Sequence, residues 1–201
     1  NWCNRYLSTY GIKVPKSVVF YKGEDNSKLY SEISYPCFVK PNNGGSSIGT
    51  HKVKNKSDLA TALNDAFSHD TEVIVEEFIQ GREFSVGIVF NQGKEKIMPL
   101  TEIIVDSEFF DFKQKYSEQG AKEITPADIS VEKASECQGI VVRVFKLLRL
   151  KKVARIDFIL KDNTFYLIEV NTIPGMSSQS ILPQQARYLN INFPDLISML
   201  A

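Results

Sequence analysis

Two carboxylates and one amide interrupt two short apolar segments near the carboxyl-terminal end of the chain. Asp157 lies within residues 154–158, and Glu169 and Asn171 lie within residues 167–171. Both segments favour β-strands, and residues two apart in a strand project to the same face. Carboxylate and amide oxygens are ligands that Mg²⁺ accepts when phosphate oxygens complete its coordination. The pattern predicts a divalent cation site in which Asp157 joins Glu169 and Asn171 from the neighbouring strand.

The register of the hairpin decides whether these side chains meet. Directly opposed residues of antiparallel strands share a face, so Asp157 and Glu169 need an odd-length loop around residues 161–164 or a β-bulge. Asn163 can supply the left-handed residue that either solution requires. Without such a register, the alternative is an ordinary hairpin with solvated acids. The turn-rich residues 172–178 follow at once, and binding residues often gather in loops of this kind.

A second candidate region is the glycine- and serine-rich segment that follows a short β-prone run. Lys40 ends that run, and the loop from Gly44 to Gly49 contains Ser46 and Ser47. Glycines let backbone N–H groups converge on an anion, and the serine hydroxyls and the lysine add donors and positive charge. The segment predicts phosphate binding, although it lacks a Walker motif and an ordinary hairpin turn remains the alternative.

A third candidate region is an apolar run that ends in acids. Residues 73–83 contain Glu76 and Glu77 at the end of a predicted strand, then a bend, then Glu83. The backbone from Glu77 through Phe78 to Ile79 can hydrogen-bond the edge of a base, and Glu83 can accept from ribose hydroxyls. The pattern predicts an adenosine pocket. Two strands with solvated acids are the alternative.

The composition excludes several classes of partner. The 201 residues are 43% hydrophobic and carry 24 basic and 24 acidic residues, so no global field recruits nucleic acid or a membrane surface. The three cysteines are widely spaced, which favours reduced thiols and a cytoplasmic protein. We expect a small-molecule ligand. The chain begins at Asn1 within a predicted helix, from which we expect a segment to precede it.

Helices interspersed with hairpin-connected strands predict an α+β fold rather than a parallel doubly wound sheet. We predict strands at residues 17–21, 37–40, 72–78, 83–90 and 97–106, a helix capped by Ser57 and a helix that opens at Ser130. Residues 107–129 are polar and aromatic with little periodicity, and their length suggests a functional loop or lid. Two lobes are expected, a smaller one at about residues 14–90 and a larger one at about residues 91–201.

Together and in this order, these segments resemble the ATP-grasp fold and, within it, the D-alanine–D-alanine ligase family. The resemblance runs from about Gly11 almost to the carboxyl end. The segments that carry it are residues 39–41 with 45–49, 75–77 with 81–84, 110–112 with 115–116, 154–158 and 169–176.

The resemblance implies a nucleotide site between two lobes. It assigns the ATP phosphates to Lys40 and Lys115, the adenine amino group to Glu76 and the ribose to Glu83. It assigns two Mg²⁺ ions, for which Mn²⁺ can substitute, to the three oxygen-bearing residues of the predicted hairpin.

The resemblance also implies catalytic and substrate residues. Ser46 and Tyr116 would meet over the reaction centre as the two loops close and exclude water. Ser180 would bind the carboxylate of the second D-alanine. Arg155 would neutralise the acyl phosphate and the later oxyanion, with help from the backbone N–H of Gly175.

The implied activity is an ATP-dependent ligase that joins two D-alanines through an acyl phosphate and releases ADP and phosphate, for peptidoglycan precursor synthesis. By the resemblance, we expect the family's amino-terminal substrate domain to be absent from this chain, and we expect a homodimer. Two alternatives stay open. One is a related ligase that takes D-lactate or another amino acid, and the other is a nucleotide-binding module without turnover in this truncated form.

Overall fold

The structure is a computed structural model that describes residues 2–44, 47–104 and 121–200. The helices are α1 (Trp2–Thr9), α2 (Lys56–His69), α3 (Val131–Leu147), α4 (Ile181–Tyr188) and α5 (Phe193–Leu200), with a 3-10 helix at Ser27–Glu32. The strands are β1 (Ser17–Tyr21), β2 (Cys37–Pro41), β3 (His51–Val53), β4 (Glu72–Glu77), β5 (Arg82–Asn91), β6 (Lys94–Ile97), β7 (Thr101–Ile104), β8 (Lys122–Ile124), β9 (Val153–Lys161) and β10 (Thr164–Asn171). The predicted α+β class is confirmed.

The first compact unit centres on Pro15–Gln80. Its four strands lie in the order β1-β4-β2-β3, and their recorded pairings are antiparallel. Along β2, Cys37, Val39 and Pro41 are buried while Phe38 and Lys40 are half-buried, so successive side chains alternate between two faces. One face packs against α2 through a core that comprises Phe20, Cys37, Val39, Val53, Leu59, Ala62, Leu63, Ala66, Val73 and Val75. The other face carries the polar residues considered below.

The second unit comprises Tyr6–Val14, Gly81–Ile104 and Lys122–Ala201. Its sheet has the order β10-β9-β5-β7-β8, with β6 also paired to β5. Helices α4 and α5 cover β5 through a second core that comprises Val89, Met98, Leu182, Ala186, Ile191 and Leu196. This sheet holds the predicted cation ligands on β9 and β10.

The division between the units falls at Gln80–Gly81, before β5, rather than near residue 90. The physical reason is the pairing of β5, which runs antiparallel to β9 from Arg82 to Val89. Residues 82–90, which the sequence analysis placed in the smaller lobe, therefore belong to the sheet of the second unit.

Several element boundaries differ from those predicted. Helix α2 begins before Ser57, and its cap is Asn55, whose side chain accepts from Ser57 N at 3.1 Å. The cap at Ser130 is confirmed, since its hydroxyl accepts from Lys133 N at 3.3 Å. The strand predicted at residues 97–106 is interrupted, since β6 ends at Ile97 and β7 begins at Thr101.

Within residues 2–44, 47–104 and 121–200, each helix is too short or too polar to cross a membrane.

Candidate functional site

The hairpin of β9 and β10 has the register that the cation site requires. Asp162 and Asn163 form its turn with φ values of 45° and 65°, so both adopt the left-handed conformation. Leu167 pairs with Phe158 but Glu169 pairs with Asp157, so an irregularity in register lies at Ile168. A bulge, rather than an odd-length loop, brings the two carboxylates opposite each other. The prediction that they meet is confirmed.

The three predicted cation ligands form one hydrogen-bonded cluster with Arg155. Asn171 Nδ2 donates to Asp157 Oδ2 at 3.0 Å and to Glu169 Oε1 at 2.8 Å. Arg155 donates to both oxygens of Asp157, from Nε at 3.1 Å and from Nη2 at 2.8 Å. Its Nη2 also lies 3.6 Å from Glu169 Oε1. The sheet therefore gathers four predicted site residues on one face.

Burial and ion pairing act in opposite directions on the pKa values of Asp157 and Arg155. Burial raises the pKa of Asp157, and hydrogen bonds from Arg155 and Ser85 oppose that increase. Burial acts to lower the pKa of Arg155, but its hydrogen bonds and charge interactions with Asp157 raise it overall. Two carboxylates thus share one guanidinium, which leaves a net negative charge that a divalent cation would balance. The hard oxygen donors fit Mg²⁺.

This donor set is mixed rather than purely acidic. Among the residues that the structure describes, no three His, Cys, Asp or Glu side chains form a metal-binding group. Asp157 and Glu169 supply the carboxylates, and the amide of Asn171 offers an oxygen as well as its N–H donors. We therefore expect phosphate oxygens to complete the coordination of an ion held here.

Ser85 is a member of this cluster that the sequence analysis missed. Its hydroxyl donates to Asp157 Oδ1 at 2.6 Å, and the residue is fully buried. Ser85 lies on β5 directly opposite Asp157 on β9. A lone hydroxyl within the apolar residues 84–90 was the available signal.

The predicted substrate residues Gly175 and Ser180 lie next to each other. A Cβ atom added to Gly175 would lie 2.7 Å from Ser180 Oγ. Ser180 Oγ also accepts from Ser177 N at 3.1 Å, and Ser180 is the N-cap of α4. The loop therefore folds tightly onto the start of the helix, and a Cβ at position 175 would require Ser180 or the loop to shift.

Glu123 on β8 forms a hydrogen bond with α4 and interacts through its charge with Arg155. Gln184 Nε2 on α4 donates to Glu123 Oε2 at 2.5 Å. The charge of Glu123 also contributes to the raised pKa of Arg155. Nothing in the local sequence singles out Glu123, because its role depends on the pairing of β8 with β7.

In the first unit, Lys40 and Glu76 form an ion pair. Lys40 Nζ lies 2.9 Å from Glu76 Oε1, and the Glu76 side chain is only 6% exposed. Strands β2 and β4 pair with Phe38 opposite Glu76, so Lys40, two residues from Phe38, lies on the same face. This face is opposite to the one that packs on α2.

The residues after β4 also surround this polar face. The Phe78 ring packs edge-on against Phe38 with centroids 5.7 Å apart, and Lys52 Nζ lies 3.7 Å from its centroid. Glu77 instead bonds to the chain before β1, since its Oε1 accepts from Lys16 N at 3.0 Å. Phe38 and Lys52 were missed by the sequence analysis, although Phe38 is the half-buried aromatic two residues before Lys40.

The glycine- and serine-rich loop is described on both sides of Gly45 and Ser46. Ser47 has a φ of 59°, a left-handed conformation that is uncommon for serine. Gly49 has a φ of 68°, and a Cβ added there would lie 2.6 Å from His69 Cδ2. Among the described residues of this segment, Ser47 and Gly49 therefore have left-handed backbones, and Gly49 lies close to His69.

Other predicted residues lie elsewhere. Ile79 is buried in the first unit, whereas Glu83 lies on β5 of the second unit, opposite Ile103 and Ile159. Ser46, Lys115 and Tyr116 lie outside the described residues.

Comparison with known proteins identifies the relatives of this chain. The family model described as D-ala D-ala ligase C-terminus matches residues 6–201. The D-alanine–D-alanine ligase of Flavobacterium johnsoniae is 41% identical over 194 residues, which cover 96% of this chain and 60% of the relative. The D-alanine–D-alanine ligase of Parabacteroides distasonis is also 41% identical, and the match again covers 60% of the relative. The chain thus spans about three fifths of the length of these curated relatives.

Solved structures share the fold. VanG D-Ala:D-Ser ligase from Enterococcus faecalis has a TM-score of 0.88 at 34% identity, covering 98% of this chain and 59% of that chain. D-alanine–D-alanine ligase from Bacillus anthracis complexed with ATP has a TM-score of 0.82 at 30% identity, with coverage of 98% and 63%. The predicted ATP-grasp fold is confirmed. The chain belongs to the D-alanine–D-alanine ligase family, whose carboxyl-terminal region it matches along nearly its whole length.

Proposed function

We propose that the protein containing this chain joins two D-alanines at the expense of ATP, giving D-alanyl-D-alanine, ADP and phosphate for peptidoglycan precursor synthesis. The observation that carries this proposal is the cluster of Arg155, Asp157, Glu169 and Asn171 on β9 and β10. Such a cluster suits phosphoryl transfer between two anions, because cationic groups must offset the negative charge that gathers there. Family membership supports the same reaction.

In this proposal, the donor carboxylate attacks the γ-phosphorus of ATP and ADP leaves. The acceptor ammonium loses a proton, the free amine attacks the acyl carbon to give a tetrahedral oxyanion, and this intermediate expels phosphate and releases the second amine proton to leave the amide. Arg155 neutralises the developing negative charge, since Asp157 holds its guanidinium in place through two hydrogen bonds. Mg²⁺, where bound by Asp157, Glu169 and Asn171, supplies further positive charge next to the phosphates.

The first unit is proposed to hold the nucleotide. Lys40 and Glu76, paired at 2.9 Å on the face opposite α2, suit the phosphates and the adenine amino group respectively. Phe78 contributes a ring against which a base can pack, and the backbone from Glu77 to Ile79 is proposed for the base edge. Ser47, with Ser46, is proposed to contact the phosphates, and Glu83 and Lys115 to bind the ribose and phosphates.

The second substrate is proposed to bind at the start of α4. Ser180 offers a hydroxyl to its carboxylate, and the backbone N–H of Gly175 is proposed to stabilise the oxyanion that forms on amine attack. The contact between these two residues supports a shared task. Tyr116 is proposed to close over the site with Ser46. A cytoplasmic location and a homodimer are proposed from the family alone.

The second candidate is a ligase with another acceptor. The similarity to VanG D-Ala:D-Ser ligase, at 34% identity, favours D-serine as the acceptor to test beside D-alanine. D-lactate ligation and nucleotide binding without turnover complete the set of alternatives.

Phosphate release and product mass, measured on the full-length protein with ATP and Mg²⁺, test this proposal. We expect D-alanyl-D-alanine as the main product when D-alanine, D-serine and D-lactate compete at equal concentration. Arg155→Met should lower kcat by at least about a hundredfold, because one preorganised charge in such a site contributes that much. A depsipeptide or a mixed D-Ala-D-Ser dipeptide as the main product would overturn the proposed acceptor, and nucleotide binding without any product would overturn the reaction.

A further inference from the structure

A fully buried glutamine on α4 forms hydrogen bonds through every polar group of its side-chain amide. Gln185 has no exposed surface, and its Oε1 accepts from Gly87 N at 3.0 Å. Its Nε2 donates to Ser85 O at 2.9 Å and to Thr101 Oγ1 at 3.0 Å. Both N–H groups and the carbonyl of the amide are therefore used. An apolar side chain of similar size would fill the same space, so packing alone does not require glutamine.

The amide of Gln185 occupies a break in the pairing of β5. On one side β5 pairs with β9 without interruption from Arg82 to Val89. On the other side it pairs with β7 only as far as Ser85, and with β6 only from Ile88 onward. Gln185 bonds to Ser85 O and Gly87 N, on either side of Val86, while Met98 N donates to Gly87 O at 2.9 Å.

Helix α4 approaches this break so closely that only glycine fits beneath it. A Cβ added to Gly87 would lie 2.2 Å from Leu182 Cδ1 and 2.8 Å from Gln185 Oε1. Gly87 and Gln185 together therefore fix the distance between α4 and β5.

Ser85 links this contact to the cation cluster. Its backbone oxygen accepts from Gln185, and its hydroxyl donates to Asp157. The same helix begins at Ser180, which lies beside Gly175. One continuous set of bonds thus runs from α4, which carries Ser180, through β5 to the carboxylate of Asp157.

We propose that Gln185 is a positioning residue, which holds Ser180 at a fixed distance from Asp157 by attaching α4 to the backbone of β5 at Ser85 and Gly87. The inference rests on the proposed function, because it concerns the spacing between the acceptor substrate and the phosphoryl-transfer centre. The hydroxyl of Ser85 has a separate role, since it orients Asp157. Neither residue touches a substrate in this scheme.

The test compares Gln185→Met with Gln138→Met in the full-length protein. Methionine keeps the length of the side chain and removes the amide. Gln138 serves as a comparison for the loss of one amide in this unit, because it is half-buried and its Nε2 also donates to a backbone oxygen, that of Met98, at 3.1 Å. We expect Gln185→Met to raise the KM for the acceptor D-alanine about tenfold while the KM for ATP changes less than about twofold. Gln138→Met should leave both KM values unchanged.

Two measurements without turnover accompany the kinetics. Backbone amide exchange at Gly87 should accelerate in Gln185→Met, because that N–H loses its acceptor, while titration calorimetry with Mg²⁺ and a non-hydrolysable ATP analogue should give an unchanged Kd. Ser85→Ala should behave in the opposite way, with a Kd weakened about tenfold and an unchanged acceptor KM. If Gln185→Met does not fold, Gln185→Glu replaces it in the kinetic assays, because it keeps the acceptor for Gly87 N but loses the donors to Ser85 O and Thr101 Oγ1.

The outcomes separate the two proposals. A folded Gln185 variant whose acceptor and ATP KM values are both unchanged would overturn the positioning role and leave the ligase intact. Equal increases in both KM values would also overturn it, because they indicate general damage. A wild-type protein that forms no dipeptide would overturn the proposed function itself.

Discussion

Glu169 is the more exposed of the two predicted carboxylate ligands. Its side chain is 57% exposed, whereas that of Asp157 is 11% exposed. Asp157 is bonded by Arg155, Ser85 and Asn171, so its replacement would disturb folding as well as binding. Glu169 therefore offers the cleaner test of the cation site.

Glu169→Gln should weaken Mg²⁺-dependent nucleotide binding about tenfold or more and leave the thermal midpoint nearly unchanged. The reason is that glutamine keeps the size of the side chain but removes the charge that a divalent cation needs. Titration calorimetry with and without Mg²⁺ measures the effect. Glu136→Gln is the control, because it removes another exposed carboxylate, one that pairs with Lys133 at 2.6 Å. Equal binding by Glu169→Gln and the wild type would leave only the hairpin with solvated acids.

Gly175→Ala should raise the KM for the acceptor amino acid at unchanged nucleotide affinity. The added Cβ would lie 2.7 Å from Ser180 Oγ, so Ser180 or the loop must move. Gly93→Ala is a matched control for overall stability, because a Cβ added there meets nothing within 4 Å, although its φ of 78° also strains alanine. Steady-state kinetics at saturating ATP decide, and an unchanged acceptor KM in Gly175→Ala would remove the loop from the acceptor site.

At the scale of elements, the start of α2 distinguishes two possible caps. Ser57 was predicted from the sequence to be the cap. In the structure, the side chain that accepts a backbone N–H belongs to Asn55. Asn55→Ala should lower the free energy of unfolding by about 1 kcal/mol, because that N–H loses its partner, and Asn55→Ser should restore most of the loss. Urea unfolding measures both. A larger loss in Ser57→Ala than in Asn55→Ala would contradict the cap seen here.

The β9–β10 hairpin shows how far a sequence can predict a site. The sequence predicted that Glu169 and Asn171 share a face, because strand periodicity is local. It also showed that Asp157 joins them only in one hairpin register. The sequence did not choose between an odd loop and a bulge, since both satisfy the same condition. The turn of Asp162 and Asn163 has two residues, so the correction had to lie in β10.

Gln185 and Ser85 show where prediction from sequence ended. Their contact joins residues 100 positions apart, and no local pattern specifies such a pair. Strands β3, β6 and β8 were missed for a similar reason. They have three or four residues each, and their neighbours in the sheet define them more than their own composition does.

At the scale of the whole molecule, each unit carries its own buried thiol. Cys37 belongs to the core of the first unit, and Cys137 is buried on α3 in the second. Burial raises the pKa of Cys37 to about 11 and that of Cys137 further still. Cys3 is only half-buried, although burial raises its pKa as well.

We expect Cys3 to react first with Ellman's reagent at pH 8, and Cys37 and Cys137 to react only as their units open. The thiolate is the reactive form, so a raised pKa lowers reactivity at this pH, and reactivity should increase as the pH approaches 11. Mass spectrometry of peptides labelled at increasing urea concentrations would follow each unit separately. Native labelling of Cys37 at the rate of Cys3 would contradict the burial described.

The irregularity at Ile168 gives the hairpin a tolerance to changes in length. If Ile168 were deleted, Leu167 would still face Phe158 and the following glutamate would still face Asp157, now in an unbroken ladder. If another residue between the turn and Ile168 were deleted, Ile168 would enter the paired ladder and Glu169 would still face Asp157. Evolution can therefore shorten this hairpin by one residue without moving its acids, which makes chain length here a poor guide to whether a distant homologue has kept its chemistry.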